Sequence, residues 1–258
     1  MKNSVLVSII IPCFNHENFI EETIRSVATS AHSPIEIIVV NDGSSDNSEL
    51  VVKSLQHHYP NLKYISQKNA GPAAARNRGI KESNGKYILP LDADDLISAD
   101  YIEKAVDMLE NDPLVKLVYC NAEFFGERQG KWNLPEFKID KLAIDNMIFC
   151  SAVYRKADWT LTGGYDERMT WGWEDWEFWI SLLKNGGEVV RLPITGFYYR
   201  VRKNSRRKST NKDAKKKTID LINEKHKEFI RTYLKGSLHY QRSWSKRINV
   251  VQHFLGLK

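Results

Sequence analysis

Cysteine is scarce in this chain of 258 residues: Cys13, Cys120 and Cys150 are all it has. Three scattered thiols form neither a disulfide framework nor a C-x-x-C metal pair, and they suit a reducing compartment. No apolar run approaches the ~20 residues that a membrane-spanning helix needs. The start of the chain lacks the layout of a signal peptide, because the apolar stretch 5–11 follows Met1-Lys2-Asn3-Ser4 with no cleavage site. The expected location is therefore cytoplasmic, or peripheral on the cytoplasmic face of the inner membrane. A glycine-rich phosphate loop is missing too. A dinucleotide fold needs G-x-G-x-x-G after the first strand, and Pro12-Cys13-Phe14-Asn15-His16-Glu17 stands there instead, which argues against a nicotinamide or flavin enzyme. Histidine is absent between His58 and His226.

What is present is enough for a large core, with 42% hydrophobic and 11% aromatic residues. The net charge of +6 hides a division. Residues 200–258 hold 18 Lys and Arg against 4 Asp and Glu, whereas residues 1–199 hold 20 against 28. An acidic body with a basic tail points to chemistry in the body and attachment to something anionic by the tail.

Over the first 120 residues strand-like and helix-like stretches alternate. β-Branched runs at 5–11 and 35–40 read as strands buried on both faces, followed by strands at 62–66, 87–91 and 115–119. Helical spacing is found at 17–30, 46–57 and 99–110, and a helix of small residues starts near Pro72. This alternation predicts an α/β fold, a mostly parallel sheet with helices on both faces. Beyond 120 the pattern loosens, with a helix running to Gly186-Gly187 and strands near 189–192 and 197–201.

In such sheets ligands sit at the carboxyl ends of the strands. Three polar turns fall there: Pro12-Cys13-Phe14-Asn15, Asn41-Asp42-Gly43-Ser44 and Asp92-Ala93-Asp94-Asp95. Alternate side chains of an extended segment share a face, so Asp92 and Asp94 point the same way and suit a hard divalent ion, Mg2+ or Mn2+. Turn chemistry is the plainer explanation of the same residues. Asp42 either accepts a hydrogen bond from a base N–H or closes an Asp-Gly turn. Gly71 and Pro72 open the small-residue helix, on which Arg76 or Arg78 can reach a diphosphate with its planar fork or face solvent. Glu174-Asp175 starts a helix among Trp171, Trp173, Trp176 and Trp179. Trp176 and Trp179 follow core spacing, whereas Trp171 and Trp173 precede the helix and are the candidates to face a ligand, their ring faces suiting the C–H face of a sugar. A partly desolvated carboxylate beside them can take a hydroxyl proton.

Together, and in this order, these motifs resemble family 2 glycosyltransferases, which have the GT-A fold. The matching residues are Val7-Ser8-Ile9-Ile10-Ile11-Pro12-Cys13-Phe14-Asn15, Val39-Val40-Asn41-Asp42-Gly43-Ser44-Ser45-Asp46, Ala70-Gly71-Pro72 with Ala75-Arg76-Asn77, Leu91-Asp92-Ala93-Asp94-Asp95, Gly163-Gly164-Tyr165-Asp166-Glu167 and Trp173-Glu174-Asp175. The resemblance covers about residues 4–200. It implies a catalytic domain at 1–200, with a nucleotide-binding half at 1–120 and an acceptor-binding half at 121–200. It further implies that Pro12 and Phe14 line the base, Asp42 accepts from a uracil or thymine N3–H, and Gly71 and Arg76 lie near the diphosphate. Asp92 would contact the ribose and Asp94 ligate the metal. Asp175 would be the base of an inverting transfer, with Glu174 in support. The sequence departs from relatives that add a late histidine to the metal: water or a tail histidine would complete the shell. The arginines of Tyr199-Arg200-Val201-Arg202 would share in neutralising phosphate.

Residues 201–258 form a basic, helical C-terminal extension. Residues 200–217 alone contain ten Lys and Arg and one Asp. Stretch 218–234 reads as an amphipathic helix, and 243–258 places Trp244, Ile248, Val251 and Leu255 at helical spacing beside Arg242, Lys246 and Arg247. Such a stripe lies in a membrane interface, or packs on the catalytic domain or a second subunit. The combined expectation is a metal-dependent, inverting transferase. It takes a nucleotide sugar, a UDP-sugar first, and a saccharide acceptor that a lipid diphosphate could carry, in cell-surface polysaccharide synthesis. No recognised nucleic-acid module is present. The rivals are a nucleotidyltransferase, which would show a Gly-rich loop near the N-terminus, and a non-catalytic sugar- or nucleic-acid-binding protein, which needs neither base nor metal.

Overall fold

In the computed structural model, residues 5–203 and 212–256 are described. Four parallel strands build the first half: β1 (Val7–Cys13), β2 (Ile35–Asn41), β3 (Leu62–Ser66) and β4 (Tyr87–Pro90). They lie in the order β3-β2-β1-β4. The Val and Ile residues of β1, and those at 37–40 of β2, are buried because helices cover both faces. The helices of this half are α1 (Ile20–Ala28), α2 (Ser48–Leu55) and α3 (Pro72–Lys81), and α4 (Tyr101–Asn111) packs on the later strands of the sheet.

Helix α3 packs close to the sheet. Pro72 takes its first turn, where the missing N–H costs nothing, and Ala73, Ala74 and Ala75 are buried. At Gly79 an added Cβ would meet Ile10 Cγ2 at 2.5 Å, so the helix sits against β1 at a distance only glycine permits.

The second half of the sheet is mixed. Strand β8 (Val153–Arg155) runs antiparallel between β4 and β6 (Val115–Gly126), and β9 (Glu188–Val201) lies parallel to β6. Short strands β5 (Leu96–Ile97) and β7 (Gly130–Trp132) add antiparallel pairs at β9 and β6. The parallel alternation thus describes the first four strands, and the later segment joins strands in both directions. The two strands expected at 189–192 and 197–201 are one, because the register shift between Cys120↔Leu192 and Asn121↔Thr195 absorbs Pro193 as a bulge. Helices α5 (Ile139–Leu142), α6 (Lys156–Thr162) and α7 (Glu174–Leu183) complete the body.

The extension packs on that body. The single helix expected at 218–234 is two, α8 (Lys212–Lys225) and α9 (Lys227–Leu234), broken at His226. The ring of His226 turns inward, its Nε2 2.6 Å from Oε1 of Glu177 on α7, and Lys225 Nζ lies 2.9 Å from the same oxygen. Burial raises Glu177, but the bond from His226 and the charge of Lys225 outweigh it and hold the carboxyl below its ordinary value. A last helix, α10 (Ser245–Phe254), buries Ser245 and Asn249 while Val250, Val251 and Phe254 stay exposed. Positions 204–211 of the basic run lie outside the described residues.

Candidate active site

The turns at the strand ends are laced together. Asn15 after β1 takes a positive φ of 57°, its Oδ1 accepts from Ser45 N at 2.8 Å, and its own N–H reaches Ser44 Oγ at 3.0 Å. This leaves Phe14 45% exposed beside half-buried Pro12. Asp42, by contrast, is buried and serves the loop before α3. Its Oδ1 accepts from Gln67 Nε2 and Ala70 N, and its Oδ2 from Gly71 N, all at 2.8 Å. A carboxylate offers about four acceptor positions, so one on Oδ2 is left for a further donor such as a base N–H. Gly71 holds φ +89°, a left-handed conformation that few other residues adopt.

Arg76 lies beneath this rim rather than on it. Only 2% of its side chain is exposed, with Nη2 2.6 Å from Asp92 Oδ1 and Nη1 2.7 Å from Glu174 Oε1. Its fork is committed to positioning these two carboxylates, because a charge so buried needs paired partners. Arg78 faces solvent and pairs with Glu82. Asp92 is only half-buried, and the Arg76 charge and hydrogen bond outweigh its desolvation and hold it below the usual carboxylate range. Cys150 Sγ sits 3.6 Å from Asp92 Oδ2, and burial pushes that thiol well up.

Asp94 faces different neighbours. Arg202, just past the end of β9, brings Nε to 2.8 Å from Asp94 Oδ2, and its Nη2 lies 3.1 Å from His16 Nε2. His16 Nε2 is itself 3.8 Å from Asp94 Oδ1. Burial raises Asp94 in spite of these two neighbours. Asp95 is fully buried: Oδ1 accepts from Arg200 N at 2.8 Å, and Oδ2 has no hydrogen-bond partner. Burial, reinforced by Asp94 and Asp92, pushes Asp95 well above the carboxylate range. Two of the tail histidines are committed elsewhere. His226 is bonded to Glu177 and His239 to Asn249, and the imidazole beside Asp94 belongs to His16, within the first strand-end turn.

On the other side, Glu174 and Asp175 start α7. Asp175 Oδ2 accepts from Asn146 Nδ2 at 2.9 Å and Oδ1 from Trp176 N at 2.8 Å. Burial first, and then the adjacent Glu174 charge, pushes Asp175 up to about 7. A carboxylate tuned there matches a general base working near neutrality. Trp173 holds φ 65° and stacks edge-on to Trp176. The extension covers both tryptophans expected to face an acceptor: the Arg242 guanidinium lies 4.7 Å from the Trp173 ring and Lys217 Nζ 5.1 Å from Trp171. Asn77, next to Arg76, docks the loop before α7. It donates to Tyr165 O at 2.8 Å and accepts from Tyr165 N at 2.9 Å. At Gly164 a Cβ would fall 2.8 Å from Asn77 Oδ1, so this glycine permits the docking.

The side chains fit a hard divalent cation that keeps part of its water shell. Asp94 supplies oxygens and His16 an imidazole nitrogen beside it, and Mg2+ or Mn2+ commonly uses one or two protein ligands plus phosphate oxygens. Among the described residues no three His, Cys, Asp or Glu side chains gather into a closed metal cage.

The comparisons with known proteins agree with this arrangement. The profile described as glycosyl transferase family 2 matches residues 8–164, and the N-terminal domain of galactosyltransferase matches 133–204. An uncharacterized glycosyltransferase of Escherichia coli, YibD, is 36% identical over 133 residues, 51% of this chain and 38% of its own. The chondroitin synthase of Escherichia coli is 28% identical over 194 residues, 72% of this chain and 28% of its own. The chain thus spans well under half the length of these relatives. Among solved structures, TarS of S. aureus in complex with UDP-GlcNAc superposes with a TM-score of 0.73 at 20% identity, covering 96% of this chain and 72% of that one. The mannosyltransferase PcManGT of Pyrobaculum calidifontis, in complex with GDP-Man and Mn2+, gives 0.66 at 18%, covering 100% and 82%. The fold is that of GT-A glycosyltransferases. With the family profile running from β1 to the loop before α7, this chain belongs to glycosyl transferase family 2.

Proposed function

We propose that this chain transfers a sugar from a nucleotide-sugar donor, a UDP-sugar first, to a hydroxyl of a saccharide acceptor, with inversion at the anomeric carbon and with a divalent cation. The observation that carries this reading is the buried Arg76 fork, which joins Asp92 on the donor side to Glu174 on the acceptor side. Pro12, Phe14 and Asp42 offer a place for the base, and Asp92 one for the ribose. Asp175 takes the proton of the acceptor hydroxyl as that oxygen attacks the anomeric carbon. The new C–O bond forms opposite the bond that breaks, and the nucleoside diphosphate leaves with the bonding pair. Asp175 is suited to this because its raised affinity for protons makes it a stronger base than an ordinary carboxylate. Glu174, held by Arg76, keeps a negative charge beside it. When bound at Asp94, Mn2+ or Mg2+ supplies charge stabilisation to the departing diphosphate. The names of the relatives, which include a chondroitin synthase and a protein crystallised with UDP-GlcNAc, support a role in cell-surface polysaccharide assembly.

The C-terminal helix supports contact with an anionic membrane surface, where a lipid-linked acceptor would be met on the cytoplasmic side. Trp244, Val251, Phe254 and Leu255 are exposed, and Lys246 and Arg247 flank them. Among the described residues no helix is long and apolar enough to cross a membrane.

The test is a screen of UDP-, GDP- and dTDP-sugars for protection against thermal unfolding, followed by NMR of the product formed from the protecting donor. An α-linked UDP-sugar should raise the melting temperature most and give a β-linked product. Retention of configuration, or no protection by any donor, would contradict the proposal.

A further inference from the structure

The two arginines at the end of β9 are held differently. Arg200 is anchored by its backbone N–H to Asp95 Oδ1 and by its Nε–H to the Asp94 carbonyl oxygen, both at 2.8 Å. Arg202 instead sets its guanidinium between Asp94 and His16, with the Phe19 ring 5.0 Å below. A guanidinium only donates, so His16 Nε2 meets it as an acceptor, with its lone pair turned to Arg202, while Nδ1 is buried without a hydrogen-bond partner. The lone pair of His16 and the oxygens of Asp94 therefore converge on one positive charge.

We infer that Asp94 and His16 together form the protein half of a divalent-cation site, and that Arg202 holds the site as a resident counter-ion that exchanges with the metal. Charge favours the exchange only when a diphosphate comes too. A divalent cation alone would share the pocket with a displaced but nearby guanidinium, and the two repel. With a dianionic diphosphate bound, cation, Asp94, phosphates and Arg202 again sum to zero, and the freed fork has a phosphate to grip. Donor and cation would then bind with positive coupling. The imidazole also sets a preference, since nitrogen donors favour Mn2+ over Mg2+. This inference rests on the donor reading for the diphosphate, but its test does not.

The experiment is Mn2+ titration of the full chain, followed by EPR, with and without UDP. In the wild type, the pulsed spectrum of bound Mn2+ should carry coupling to an imidazole nitrogen. His16→Gln should remove that coupling and weaken binding about tenfold. Without UDP, Arg202→Gln should bind Mn2+ about tenfold more tightly than the wild type, because a like charge has gone. With UDP that advantage should vanish. Wild-type Mn2+ lacking nitrogen coupling would overturn the His16 assignment without any variant. Arg202→Gln binding Mn2+ no more tightly than wild type without UDP would overturn the exchange. A chain that passes these tests yet transfers no sugar would overturn the proposed function and leave this site standing.

Discussion

Arg76 Nη1 lies 2.7 Å from Glu174 Oε1 although 98 positions separate the two residues. Through its other nitrogen, Nη2, the same guanidinium holds Asp92 at 2.6 Å. One buried charge thus fixes the distance between the strand-end carboxylates and the start of α7.

Removing that charge strands two carboxylates. Arg76→Met should cost about 3–5 kcal/mol in urea unfolding, the range for a broken buried ion pair, and should abolish donor binding. Arg76→Lys keeps the charge but loses the fork, so it should fall between wild type and Met. Equal stability for all three would remove Arg76 from this role.

As the proposed base, Asp175 must be ionised to accept a proton, and burial with the neighbouring Glu174 charge pushes it up to about 7. The kcat/KM profile should therefore fall with unit slope as pH drops below about 7. Stability runs the other way. The folded form holds its proton more tightly than the unfolded one, so this group stabilises fully below the ordinary carboxylate range and loses that contribution as pH rises to about 7. Asp175→Asn should raise the melting temperature more at pH 8 than at pH 5, as differential scanning calorimetry would read.

Chelation checks the cation. Enzyme treated with a chelator should lose transfer and regain it with Mn2+ or Mg2+. Full activity in the chelated enzyme would refute metal dependence.

The outward face of α10 has its own measurement. The intact chain should co-sediment with anionic vesicles, and less so as salt rises. The double substitution Trp244→Ser with Phe254→Ser should abolish this without disturbing the buried Ser245 and Asn249. No sedimentation of the wild type would dismiss the membrane contact.

Much of the fold was legible because β-branched runs such as Val7–Cys13 tolerate only a strand buried on both faces. The antiparallel insertion of β8 was not, since a three-residue strand carries too little periodicity to read. Family motifs marked Asp92, Asp94, Glu174 and Asp175. They could not show that Arg76 sits below the cleft, because burial of a charge depends on partners 16 and 98 positions away. Asn146, bonded to Asp175, carries no signal at all in an irregular segment. His16 did carry one, its place in the turn after β1. That turn lies at the opposite end of the domain from the late position at which relatives carry a metal histidine. The helix at 218–234 broke at His226 for a reason no local pattern holds: a buried glutamate on another helix.

The most direct measurement is donor affinity and turnover in Asp175→Asn side by side. The account predicts an unchanged Kd for the UDP-sugar and a turnover lower by roughly a thousandfold or more, as expected for a lost general base. Turnover equal to wild type would contradict it.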